Sequence, residues 1–191
     1  MKDPNTVIVQ LEHIFKTFRT RTSFLTGASK EVVALNRVSF EIFMGEIFGL
    51  VGESGSGKTT PGRLIVKLET PDSGKLLLDG NDITKIKGRA LKNFRKKVQM
   101  IFQDPYQSLN PYLSVYDSVS EPLIVHKVGI SESRKNMVRE SLKVVGLSPP
   151  DEFFYRYPHQ MSAGQRQRIA ISGAMVLKPE FVVADEPTSM L

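Results

Sequence analysis

The sequence contains no cysteine. Disulfides and thiolate metal sites are therefore excluded. No apolar run approaches the roughly 20 residues that a membrane-spanning helix requires. The opening residues, Met1-Lys2-Asp3-Pro4-Asn5, are polar and no apolar segment follows them, so no export signal is read there and the cytoplasm is the expected compartment. There is no internal repeat and no low-complexity tract.

What is present is ordinary globular composition. The chain has 191 residues, of which 40% are hydrophobic, enough for one domain with a real core. Formal net charge is +6. That permits contact with anionic lipid or nucleic acid without requiring it. The densest basic stretch contains Lys85, Lys87, Arg89, Lys92, Arg95, Lys96 and Lys97. It reads as a solvated face. Only Phe94 is interleaved there, which argues against a stacking surface for single-stranded nucleic acid.

The local patterns alternate between strand and helix. Val7 to Leu11 and Val32 to Ile42 read as strands, with Arg19 to Lys30 as a loop between them. Ile47 to Val51 is a short apolar run expected as a buried strand. A helix is expected from about Lys58 to Leu68. Leu76 to Leu78 ends in the turn Asp79-Gly80, and Val98 to Phe102 is a further strand. From Asn110 to Pro158 the texture is helical, with Ser131 as a cap, Val138, Leu142 and Val145 on one face, and Gly146 as the stop. Pro149-Pro150 marks a loop. A last helix, Ala163 to Leu177, precedes a buried strand, Phe181 to Ala184. Strands on either side of a helical insert suggest an α/β nucleotide-binding core interrupted by a helical subdomain.

Two motifs carry chemistry. Gly52-Glu53-Ser54-Gly55-Ser56-Gly57-Lys58-Thr59 matches the phosphate-loop pattern G-x-x-x-x-G-K-[ST], placed between an expected strand and an expected helix. Its glycines let the backbone curl so that N–H groups face an anion, and the helix N-terminus adds positive potential. Lys58 would reach the β- and γ-phosphates, and the Thr59 hydroxyl would face Mg²⁺. A Gly/Ser-rich turn that matches by chance is the alternative, and the strand–loop–helix context disfavours it. Downstream, Phe181 to Ala184 runs into Asp185 and Glu186. A strand ending in acids places carboxylates at the ligand edge of an α/β sheet. Asp185 would hold Mg²⁺, and Glu186 would orient or deprotonate an attacking water. Gln103, after the strand Val98 to Phe102, could ligate Mg²⁺ or hold that water. Taken alone, each also reads as an ordinary strand-end or loop residue. Ser162-Ala163-Gly164-Gln165 opens the last helix, either as a plain N-cap or as a second anion-binding end. Since one loop already cradles phosphates, the second end fits the γ-phosphate of a partner subunit. Pro61 falls in the first turns of the loop helix, where proline removes a donor.

In order and spacing these motifs resemble the ATP-binding subunits of ABC transporters. The runs Val51 to Lys58, Gln99 to Pro111 and Tyr157-Pro158-His159 are similar to the branch serving oligopeptide, dipeptide and nickel importers. The resemblance implies a P-loop NTPase core with an antiparallel β subdomain and a helical subdomain over about 110–160, all within one ABC ATPase domain over 1–191. It implies ATP and Mg²⁺ as ligands, with nucleotide contacts extending to Thr60 and with Phe18 stacked on adenine. Mg²⁺ would be held by Thr59, Gln103 and Asp185. Ser162, Ala163, Gly164 and Gln165 would cover a second subunit's ATP. The implied partners are a second ATPase subunit, transmembrane permease subunits and, indirectly, an extracytoplasmic binding protein, at the cytoplasmic face of the membrane and without nucleic acid.

Departures from the family pattern are Ala163 for the usual glycine, Gly173 for the usual arginine, and Pro61 for an apolar helix former. The family also continues past the position of Leu191 with an aspartate, a strand and a switch histidine. His13, His126 and His159 all precede Asp185, so the chain reads as C-terminally truncated, with final core strands missing. Against transport-coupled ATP hydrolysis stand a nucleotide-binding module with little or no hydrolysis and a soluble ABC protein acting on ribosome or DNA.

Overall fold

The structure is a computed structural model that describes residues 5–21, 29–104 and 108–187. It divides into two compact units, Met1–Lys87 and Gly88–Leu191.

The first unit is built on an antiparallel sheet. Strand β1 (Val7–Arg21) pairs along its length with β2 (Ser29–Phe43), from Val7 opposite Phe43 to Arg21 opposite Ser29. The strands therefore reach well into the segment Arg19 to Lys30 expected as a loop, and the rest of that loop lies outside the described residues. Cross-strand hydrogen bonds extend a strand wherever a neighbour is in register, whatever the local polarity. Pairing is interrupted by bulges between Leu11 and Ile14, where His13 takes a φ of 48°. Its displaced N–H donates to the Ser39 hydroxyl at 2.8 Å, so the bulge leaves no orphan donor.

Strand β3 (Ser73–Leu78) adds to the other side of β1, and the two-residue β4 (Asn81–Asp82) closes a hairpin through the expected Asp79-Gly80 turn. The order is β2-β1-β3-β4. Alternation sends Val9, Leu11, Ile14, Leu35, Ile42 and Leu76 inward. Asp72 ties β1 to the start of β3. Thr17 N–H and hydroxyl donate to its carboxylate at 2.6 and 2.9 Å, and Lys16 Nζ lies 3.3 Å away. These bonds, led by the Thr17 N–H, hold the Asp72 carboxyl below the usual carboxylate range.

Helix α1 (Thr59–Ile65) follows the Gly52–Thr59 loop and buries Leu64 and Ile65. It is shorter than expected. Lys67 beyond it has φ 60°, and its Nζ donates to Thr84 O at 2.7 Å. The segment Ile47 to Val51 is not a strand, contrary to expectation: Ile47 is 100% exposed and Val51 95%. An extended apolar segment becomes a strand only when a neighbour satisfies its backbone, and among the described residues none pairs with it.

In the second unit, α2 (Gly88–Lys97) carries the basic stretch from Arg89 onward and buries Phe94, with Arg89, Lys92, Arg95 and Lys96 exposed. Near it, burial together with Lys92 and Lys96 pushes the His126 imidazole below its ordinary pKa. Strand β5 (Val98–Ile101) pairs in parallel with β6 (Phe181–Ala184). Strand β6 was expected to be buried, but its residues are half-buried and Ala184 is exposed. A parallel strand is buried when both faces and both edges are covered, and in the described residues β6 has one partner strand, β5.

Helices α3 (Val115–Val125), α4 (Ser131–Val144) and α5 (Ala163–Met175) enclose a separate apolar core. Val119, Leu123, Val138, Leu142 and Ile169 are at its centre. The expected stripe on α4 is observed, with Val145 partly buried beside it. The cap differs. Ser131 is the first helical residue, and Ser133 instead accepts from Ile130 N–H at 2.9 Å and donates back to Ile130 O. A hydroxyl at the third position reaches the N-cap backbone, as in a reciprocal cap. Pro150–Glu152 forms a single tight turn.

Candidate functional site

In the first unit, the loop Gly52–Thr59 folds back on its own lysine. Lys58 Nζ donates to Gly52 O at 2.8 Å and Glu53 O at 2.6 Å. The cation is thus held over the loop by carbonyls, weak partners that an anionic phosphate would displace. Gly57 has φ 91°, and a Cβ there would meet Ala34 O at 2.6 Å. Only glycine lets the loop lie this close to the β2 backbone. Lys58 is the N-cap of α1, and Thr60 N–H donates to Gly57 O at 3.0 Å, so loop and helix form one continuous turn. The loop from Gly52 to Ser56 is exposed, including Glu53, Ser54 and Gly55. Pro61 is the third residue of α1. The first four N–H groups of a helix have no internal acceptor, so the missing donor costs the helix nothing. Phe18 is half-buried on β1, with Lys16 Nζ 5.2 Å from its ring centroid.

In the second unit, the strand ends meet. Asp185 N–H donates to Ile101 O at 3.0 Å, continuing the β5–β6 ladder by one residue. That register brings Gln103 to Glu186, and Gln103 Nε2 donates to Glu186 Oε2 at 2.6 Å. A charge-assisted bond this short holds one carboxylate oxygen and leaves Glu186 Oε1 open to a water. Glu186 has φ 45°, a left-handed conformation uncommon for a residue with a Cβ.

The N-terminus of α5 is a reciprocal cap. Gln165 N–H donates to Ser162 Oγ at 3.2 Å, and Ser162 N–H donates to Gln165 Oε1 at 3.0 Å. Ala163 and Gly164 occupy the first turn between them. At Gly173 a Cβ would reach only ordinary contact with Ser118 O, at 3.8 Å, so that position is not reserved for glycine by crowding. A cavity of about 170 Å³ opens between β5, α3 and α5, lined among others by Phe102, Glu121, Pro122 and Gly173.

Sequence reasoning does not reach Gln167. Its Nε2 donates to Pro187 O at 3.0 Å from a fully buried position on α5. A polar residue in a run of polar residues gives no sign that it faces the core.

The oxygen donors suit Mg²⁺. It favours hard oxygen ligands, and such sites use one or two carboxylates plus waters and phosphate oxygens. Gln103 fits because its nitrogen is engaged by Glu186 and its carbonyl oxygen remains an acceptor.

The phosphate loop opening α1 and the acids closing β6 define a phosphate-loop α/β protein of the ABC ATPase fold. The ABC transporter family model matches residues 35–189. The oligopeptide transport ATP-binding protein OppF of Streptococcus mutans is 47% identical over 185 residues, covering 96% of this chain and 58% of that protein. The dipeptide transport ATP-binding protein DppF of Lactococcus lactis is 46% identical over 194 residues, covering all of this chain and 59% of that protein. The dimeric cassette MJ0796 bound to ADP and Pi superposes with a TM-score of 0.84 at 32% identity, over 96% of this chain and 76% of that one. The chain belongs to the ABC transporter family, and it spans just under three fifths of the length of these peptide-transport relatives.

Proposed function

We propose that the whole protein binds and hydrolyses ATP to energise an ABC importer of peptides. The observation that carries this is the pair of half-sites: a lysine poised over a glycine loop, and a carboxylate held by an amide at the end of β6. The relatives named for oligopeptide and dipeptide transport support the cargo class.

The residues divide the work. The loop amides from Gly52 to Thr60 and the Lys58 ammonium bind and neutralise the phosphates, and Phe18 stacks on the base. Thr59, Gln103 and Asp185 would hold Mg²⁺, which when bound supplies charge neutralisation at the phosphate oxygens. Glu186, restrained through Oε2, takes the attacking water on Oε1, orients it toward the γ-phosphorus and accepts its proton as the bond from the γ-phosphorus to the β,γ-bridging oxygen breaks and ADP leaves. Ser162 to Gln165, with their rigid cap, cover the nucleotide of a second ATPase subunit. The solved relative described as dimeric is consistent with that pairing.

The helical region 110–160 and the cavity beside Gln103's strand receive a segment of the transmembrane subunit. The protein then works as a peripheral subunit at the cytoplasmic face of the membrane, and an extracytoplasmic binding protein delivers cargo. Among the described residues no helix is long and apolar enough to cross a membrane itself. The experiment is phosphate release by the assembled complex in proteoliposomes. Turnover that rises with added peptide is expected, and turnover indifferent to peptide removes the cargo assignment. A binding module without hydrolysis would retain ATP and release no phosphate.

A further inference from the structure

Gln167 sits on α5 just beyond the Ser162–Gln165 cap and is 0% exposed. Its Nε2 donates to Pro187 O at 3.0 Å. The carbonyl of Pro187 can only accept, so the amide nitrogen must face it and the orientation of the side chain is fixed. The other end, Oε1, is buried and has no hydrogen-bond partner among the described residues. For stability alone this is a poor residue. A buried acceptor without a donor is costly, and Met or Leu would fill much the same volume, leaving only the half-exposed Pro187 carbonyl for water to satisfy. The side chain is accounted for by the bond it makes to Pro187.

That bond lands on the residue after Glu186. Glu186 holds a left-handed φ of 45° and is tied on three sides. Asp185 N–H binds Ile101 O before it, Gln103 binds its carboxylate, and Gln167 binds Pro187 O after it. The first two ties come from β5 and its following loop. The third comes from α5, the helix whose N-terminus carries Ser162, Ala163, Gly164 and Gln165. We infer that Gln167 is a positioning residue for hydrolysis. It fixes the backbone that aims Glu186 and links that aim to the setting of α5. When α5 shifts as its capped end engages the second subunit's nucleotide, the shift is transmitted through the Gln167–Pro187 hydrogen bond to the carboxylate serving this chain's own nucleotide.

The inference rests on the ATP-hydrolysis reading above. The test is Gln167→Met in the full-length protein within its assembled complex. The expected result is an unchanged or raised melting temperature, a KM for ATP within about twofold, and kcat lowered on the order of tenfold, as small misplacements of a reacting group produce. Hydrogen exchange of the Asp185 amide should quicken in the same variant. An unchanged kcat would overturn the inference. So would a fall in kcat matched by a fall in melting temperature, or the failure of both Q167M and Q167L to fold, since either assigns Gln167 to stability alone. If the wild-type complex releases no phosphate, the hydrolysis reading fails instead, and unchanged exchange at Asp185 in Q167M would still refute the tie itself.

Discussion

Replacing Gly57 with alanine should separate nucleotide binding from folding. At φ 91° an L-residue is strained, at about 1–2 kcal/mol. The added Cβ would also stand 2.6 Å from Ala34 O, inside any ordinary contact. Ala34 is the extra residue of a bulge in β2, and the pairs on either side of it, Lys16 opposite Leu35 and Thr17 opposite Val33, limit how far it can retreat. The loop must move instead, and strain plus displacement together come to about 2–3 kcal/mol. Taken up as lost loop geometry, that is a fall in ATP affinity of roughly 30- to 140-fold, at 1.4 kcal/mol per factor of ten. Gly45 provides the control. It has φ 76° but open space around its Cβ position, so G45A carries the backbone cost of about 1 kcal/mol without touching the loop. Titration of a fluorescent ATP analogue, alongside thermal melts of both variants, gives the comparison. If G57A binds within about twofold of wild type, the close approach of loop to β2 does not shape the phosphate site and the reasoning is wrong.

The two prolines in helices should behave oppositely. Pro61, in the first turn of α1, displaces no helical hydrogen bond, so P61A should change stability by less than about 1 kcal/mol. Pro122 lies inside α3 and deprives Ser118 O of its helical donor, so P122A should stabilise by about 1–2 kcal/mol in a denaturant titration. Asp72 sets an acid limb. Its carboxyl is depressed in the fold, so its contribution is complete above the unfolded value near 3.9 and fades as pH falls through the lower folded value. D72N should flatten stability against pH below about 4, by less than about 1 kcal/mol because the group is solvent-exposed.

The local shapes of the loop and of the cap were legible in the sequence because each depends on short-range geometry. The loop Gly52–Thr59 needs only its own glycines, its lysine and the following helix, and all are adjacent in the chain. Ser162 and Gln165 cap each other within one turn. Strand status was legible only where a neighbour exists. Val7 to Leu11 grew into a strand reaching Arg21 because β2 and β3 flank it, while Ile47 to Val51 has no partner strand among the described residues. The Gln103–Glu186 bond depends on the register of β5 against β6, two segments far apart in the chain, and no local pattern encodes that register. Gln167 was invisible for the same reason: its burial follows from how α5 packs, not from its neighbours in sequence.

The most direct test of the central claim is phosphate release by the full-length protein in its assembled complex, wild type against Glu186→Gln. The amide preserves the shape of the side chain but cannot take a proton from water. The variant should bind ATP within about twofold of wild type and turn over about 10²-fold or more slower. Equal turnover in the two proteins would contradict that claim, because the carboxylate that Gln103 holds at the end of β6 would then have no part in the reaction.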